Sequence, residues 1–191
     1  MSDLFFDKVT YEKIDFSAEK FKRAEYDTCT FTNCSFVNTD LSNSSFIACE
    51  FISCNFSNTN LKNTSLKSVI FNSCKLVGIL FNECDNFLLS LKFDTCFLNL
   101  ASFYKLNLKG IIFKDCKLIE VDFSEANLSN AVFENGDLAG TIFNATNLSL
   151  SDFSTAINFR INPEINKIKG AKFSQQALSG LLIDYDIEII S

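Results

Sequence analysis

Eight cysteines stand in a chain of 191 residues that has no histidine. Thiols at this density could bind zinc, pair as disulfides or act as nucleophiles. Their spacing points elsewhere. No Cys-x-x-Cys occurs, whereas zinc sites use close cysteine pairs or histidine. Cys29, Cys34, Cys49, Cys54, Cys74 and Cys84 fall at multiples of five residues, and Cys96 and Cys116 continue the rule after a shift of two. That is how a small buried residue behaves in a repeat. Stacked cysteines lie near disulfide distance, but a reducing cytoplasm keeps them as thiols. Without histidine there is no Cys/His or Ser/His pair, and six glycines form no phosphate-cradling loop. The carboxylates are scattered and define no acid/base pocket. The expectation is a protein that is not an enzyme and holds no metal or cofactor.

The elements that carry these residues follow an unusual period. In "CTFTNCSFVNTDLSNSSF", residues 29 to 46, Phe31, Phe36, Leu41 and Phe46 are five apart, the period of neither a helix nor a strand. The register runs from Phe16 through Phe21, Tyr26 and onward to Leu76 and Phe81, with every position Phe, Leu or Tyr. It slips by two residues inside "FNECDNFLL" and resumes from Leu88 to Phe153 in strict Leu/Phe alternation. The residue two before each anchor is usually small, as at Cys34, Thr39, Ser44, Ala126, Gly136 and Thr141. The other three positions are mostly polar. Five residues with two inward and three outward positions read as one side of a polygonal coil.

This pattern resembles the pentapeptide-repeat family over about residues 14 to 175. The resemblance implies an all-β solenoid, a right-handed quadrilateral β-helix with four five-residue sides and about 20 residues per coil. Residues 20 apart should then stack. Phe93, Phe113, Phe133 and Phe153 form one column, Leu88, Leu108, Leu128 and Leu148 another, and Asn107, Asn127 and Asn147 an outward amide ladder. About seven coils at about 4.8 Å each make a rod roughly 35 Å long. The slip near 84 to 87 reads as a corner bulge within one domain spanning 1 to 191.

After Phe153 the pattern breaks at the single proline and returns at Ile168 and Phe173. In "SQQALSGLLIDYDIEII", Ser174 can cap a short helix with Ala177, Leu178, Leu181 and Leu182 on one stripe, followed by a strand-like Ile187, Ile189 and Ile190. The segment either covers the last coil alone or also joins two copies tail to tail; a C2 homodimer through Leu178, Leu181, Leu182, Ile187 and Ile189 is the expectation. The tail from Ala156 onward, and "EKIDFSAEKFKRAEYDTCTFTNCSFVNTDLSNSSFIACEFISCNF" near the start, are similar to the quinolone-resistance (Qnr-type) and topoisomerase-poison immunity branch. There the C-terminal segment builds the dimer, and the rods bind DNA gyrase or topoisomerase IV as mimics of duplex DNA. Many drug-protecting relatives have long loops leaving the coil; this chain has only the two-residue slip, so topoisomerase binding is better supported than drug protection.

Charge tests this independently. The net charge is −6, and residues 118 to 159 contain Glu120, Asp122, Glu125, Glu134, Asp137 and Asp152 with no base, while acids and bases balance elsewhere. On two coils, roughly 10 Å of rod, this is about one charge per 1.7 Å, the density of duplex DNA. The six fall on three adjacent sides and spare the side with Asn127 and Asn147. They form the expected partner-binding band. The sequence has no basic leader and no long apolar run, which suggests a cytoplasmic protein with neither membrane nor nucleic acid among its partners. The alternative function is a β-helical interaction scaffold with another partner.

Overall fold

The computed structural model describes residues 4–18, 21–185, 187, 188 and 190. Strands of two to four residues stack in parallel into two sheets. One contains Phe5–Asp7, Glu25–Asp27, Ser45–Ile47 and Ser65–Lys67. The other has nine strands, from Thr10–Glu12 at one end to Lys172–Phe173 at the other. Partners are 20 residues apart, as in Phe31 beside Phe51 and Phe113 beside Phe133. Nine stacked strands at about 4.8 Å make a rod roughly 38 Å long. The coil begins before residue 14: Phe6 and Tyr11 already stack on Tyr26 and Phe31 at 5.1 and 4.7 Å. Both continue the five-residue register backwards from Phe16.

Each position of the five has its own physical task. The anchors face inward, and all in the two registers are buried except Phe16, which is half-buried, and Leu88. Phenylalanines of successive coils lie ring on ring, with centroids 5.3 Å apart for Phe93 and Phe113 and 4.6 Å for Phe133 and Phe153. Rings on adjacent sides meet edge to face, as Phe103 does with Phe113 at 5.8 Å. The small residue two before the anchor is more than a filler. Several of the Cys and Thr residues there donate to a carbonyl 23 residues earlier: Thr59 to Phe36 at 2.7 Å, Cys54 to Phe31 and Cys74 to Phe51 at 3.3 Å. The residue two after the anchor turns the corner in the left-handed conformation. Asn33, Asn38, Asn58 and Asn63 sit there with φ of 54 to 59°, and Gly78, Gly110, Gly140 and Gly170 occupy the same place later.

The slip is a local enlargement of one coil. Asp85 pairs with Ser65 at the usual offset of 20, whereas Leu91 pairs with Val69 at 22, so the two added residues lie between Asp85 and Leu91. The nine-stranded sheet continues across it. Leu88 is not an inward anchor: it is 65% exposed and carries φ of 58°, because the added residues push its corner outward. Leu89 packs against the core in its stead.

The C-terminal cap is a 3₁₀ helix, Gln175–Leu181, followed by a single turn at Ile183–Tyr185. Ser174 makes no side-chain capping hydrogen bond, and residues 187, 188 and 190 join no sheet, so the strand-like ending expected there is not formed by the described residues. Ile189 lies outside them. The cap is seated by Gly180, whose carbonyl accepts the Ile161 amide at 2.9 Å, and a Cβ there would run into the Phe159 carbonyl oxygen. Gly180→Ala should therefore lift the cap and lower the melting temperature by several degrees, equivalent to about 1–3 kcal/mol. An unchanged thermal unfolding midpoint would show that the contact can relax.

Candidate protein-binding surface

The eight cysteines are buried and free of disulfides. Because the enlarged coil keeps stacking in register, Cys34, Cys54, Cys74, Cys96 and Cys116 form one continuous column, with Cys74 followed by Cys96 at 22 residues. Cys29 and Cys49 form a second. Burial pushes the thiols of Cys49 and Cys84 up to about 12, so they stay protonated and unreactive at neutral pH. Among the described residues no group of three or more ligating side chains is placed to hold a metal. No helix there is long and apolar enough to cross a membrane.

The sides of the rod carry the remaining chemistry. The amide ladder forms as expected: Asn127 donates to Asn107 at 2.9 Å and Asn147 to Asn127 at 3.0 Å. The acidic band differs from its sequence reading in two ways. First, stacking delivers bases that lie outside the 118 to 159 segment. Lys105 pairs with Glu125 at 3.3 Å, Lys117 with Asp137 at 3.2 Å and Lys172 with Asp152 at 3.1 Å. Glu120, Asp122 and Glu134 have no ion pair among the described residues. The three unpaired carboxylates fall within one coil, Asp122 on the side anchored by Phe123 and Glu134 on the opposite side anchored by Phe133, so they do not reproduce a DNA-like charge spacing along the rod. Second, part of the band builds the coil. Asp122 accepts the Ser124 amide at 2.8 Å and Asp152 the Ser154 amide at 2.9 Å. Asn55, Asn60 and Asn127 accept the corresponding amides in their own turns.

Two grooves flank the ends. One of about 930 Å³ runs between the last coils and the cap, lined by Ile157, Phe159, Leu182, Ile183 and Ile187, with Arg160 on its wall. The other, about 940 Å³, lies beside Phe16 and Phe21 at the N-terminal end. The cap divides its apolar stripe. Ala177 and Leu181 pack against the core, while Leu178 and Leu182 stay exposed together with Ile183 and Ile187. Four of the expected dimer residues are thus brought to the same end of the rod, and three of them face solvent.

The paired acids predict an acid response. The side-chain hydrogen bond from Asn158, then the Lys117 ammonium, holds the Asp137 carboxyl below its usual range. Asp152 is lowered by the Ser154 hydroxyl and amide, then by Lys172. Both groups are ionised more readily folded than unfolded. They add stability above the ordinary carboxylate pKa of 3.8, and that increment disappears as pH falls through the depressed folded values. The melting temperature should drop below about pH 4, and less so in Asp137→Asn/Asp152→Asn. Parallel pH profiles for the two proteins would contradict this.

Comparison with known proteins agrees with the coil. The pattern described as the pentapeptide repeat region matches residues 24–96, 44–116 and 86–181. Full-length QnrB1, a plasmid-mediated fluoroquinolone resistance protein, superposes with a TM-score of 0.55 at 20% identity, over 96% of this chain and 100% of that one. HetL, a pentapeptide repeat protein involved in heterocyst differentiation regulation in the cyanobacterium Nostoc sp. strain PCC 7120, superposes with a TM-score of 0.53 at 15% identity over 88% of each chain. No curated protein matches the sequence. The repeat matches span most of the rod, and the chain belongs to the pentapeptide-repeat family, with a Qnr-type parallel β-solenoid fold.

Proposed function

We propose that this protein is a cytoplasmic, non-catalytic binding rod that engages a type II topoisomerase, DNA gyrase or topoisomerase IV, in the place of duplex DNA. The observation that carries this reading is the match with QnrB1 over 96% of this chain and 100% of that one, since that protein is described as a plasmid-mediated fluoroquinolone resistance protein. The unpaired Glu120, Asp122 and Glu134 support it, because they leave one coil next to the C-terminal end of the rod with a net negative charge. The exposed Leu178, Leu182 and Ile187 support a tail-to-tail homodimer, which would place two such acidic coils about one centre. A regulatory scaffold with another partner is the second reading, favoured by the comparable match with HetL.

Gyrase supercoiling, measured with and without a quinolone, tests the first reading. Glu120→Lys, Asp122→Asn and Glu134→Lys combined should weaken binding at least tenfold, about 1.4 kcal/mol or more. Asn at 122 keeps the turn acceptor, so the fold survives. Raised salt should weaken the wild-type complex. Asn127→Lys/Asn147→Lys on the opposite surface should matter less, and equal loss from both sets would sink the assignment. Truncation after Ser174 should turn a dimer into a monomer or an aggregating rod; a wild-type monomer by light scattering would contradict the dimer.

A further inference from the structure

Gly136 ends the cysteine column without a structural need for glycine. It stacks between Cys116 and Ala156 of the neighbouring coils. Gly78, Gly110, Gly140 and Gly170 have positive φ and Gly136 does not. A Cβ there would meet only ordinary contacts, Leu118 at 3.7 Å and Phe133 at 3.8 Å. What sets Gly136 apart is the residue before it. Eight asparagines among the described residues hold the left-handed conformation, and Asn135, with φ of 51°, is the one followed by glycine. It is exposed, and its side-chain nitrogen donates to Asp115 at 2.9 Å. The turn that follows is loosely closed. After five of the other asparagines the amides of Thr39, Ser44, Thr59, Thr64 and Ala131 donate to the anchor carbonyl at 2.9 to 3.1 Å. The Gly136 amide reaches the Phe133 carbonyl only at 3.5 Å, the limit of a hydrogen bond.

We propose that Asn135 is a site of spontaneous covalent modification, deamidating in the folded rod through its own backbone. The Gly136 nitrogen attacks Cγ of Asn135, an N–C bond forms, the Cγ–Nδ2 bond breaks, and ammonia leaves with the proton that the Gly136 amide gives up. Water then opens the five-membered imide at either carbonyl. Opening at Cγ leaves an aspartate, and opening at the main-chain carbonyl leaves an isoaspartate, whose backbone runs through the side chain. Closing the ring swings the Asn135–Gly136 peptide out of the corner. The absent Cβ and the long turn bond permit this motion here, while a side chain and a shorter bond resist it after Asn130. Either product changes the coil. The hydrogen bond to Asp115 is lost and a carboxylate stands opposite that carboxylate, one coil away, beside the unpaired Glu134. The isoaspartate also adds a methylene to a side whose length is fixed by stacking.

The full chain, incubated in mildly alkaline buffer at physiological temperature and digested at intervals, tests this by mass spectrometry, with isoaspartate methyltransferase labelling to mark the second product. Asn135 should convert at least about tenfold faster than Asn130 or Asn43, and Gly136→Ala should slow it at least about tenfold. That variant should melt no lower than the wild type, because its Cβ meets only ordinary contacts and alanine narrows the unfolded ensemble. Urea too dilute to unfold the chain should leave the rate at Asn135 unchanged. Equal rates at Asn135 and Asn130, an unchanged rate in Gly136→Ala, or a rate that climbs with the unfolded fraction in urea would overturn the proposal.

Discussion

Each inward side chain must meet its counterpart one coil away, and this spacing governs the rest of the structure. A phenylalanine ring can lie flat on the next at about 5 Å, as Phe31 does on Phe51 at 4.8 Å, only if the backbone returns to the same place after four sides. The same return aligns the interstrand hydrogen bonds and the Cys and Thr donors that reach the previous coil. Satisfying one of these satisfies the others, which is why two-to-four-residue strands suffice here although they are too short to be stable alone. Two residues too many are absorbed at one corner, where Phe87 and Leu88 are extruded into solvent and stacking resumes at Leu91.

The constraint also divides the chain into residues with structural and with free roles. The inward pair and the left-handed corner are committed to the coil. Aspartate or asparagine before the anchor is half-committed, because its side chain closes the turn, as Asp122 does through Ser124. Only the remaining outward positions are free to encode a partner. Glu134, Phe97 and Ile119 are such positions, and any recognition has to be written in them, in the side chains of corner residues such as Glu120, and in the two ends.

The period, the columns, the burial of the cysteines and the amide ladder were legible because each depends on spacing alone. The coil starts earlier than the resemblance over residues 14 to 175 implies, since Phe6 and Tyr11 carry the register back from Phe16. Five-residue counting from Phe93 places Leu88 inward, while the bulge that ejects it is a three-dimensional adjustment. Counting charge along the chain overstates the net charge of the acidic band for a similar reason. Lys105, Lys117 and Lys172 lie outside the segment in sequence and 20 residues from their partners, so only stacking reveals the pairing. Reading charge down 20-residue columns, instead of along the chain, would have found all three.

The central functional claim is that the rod occupies the place of duplex DNA on a topoisomerase. Competition with labelled linear duplex DNA for purified DNA gyrase tests it most directly. The account predicts that the protein displaces the duplex in a saturable, mutually exclusive manner, with a midpoint that rises in proportion to the DNA already bound. A stable complex containing gyrase, duplex and this protein together would contradict it.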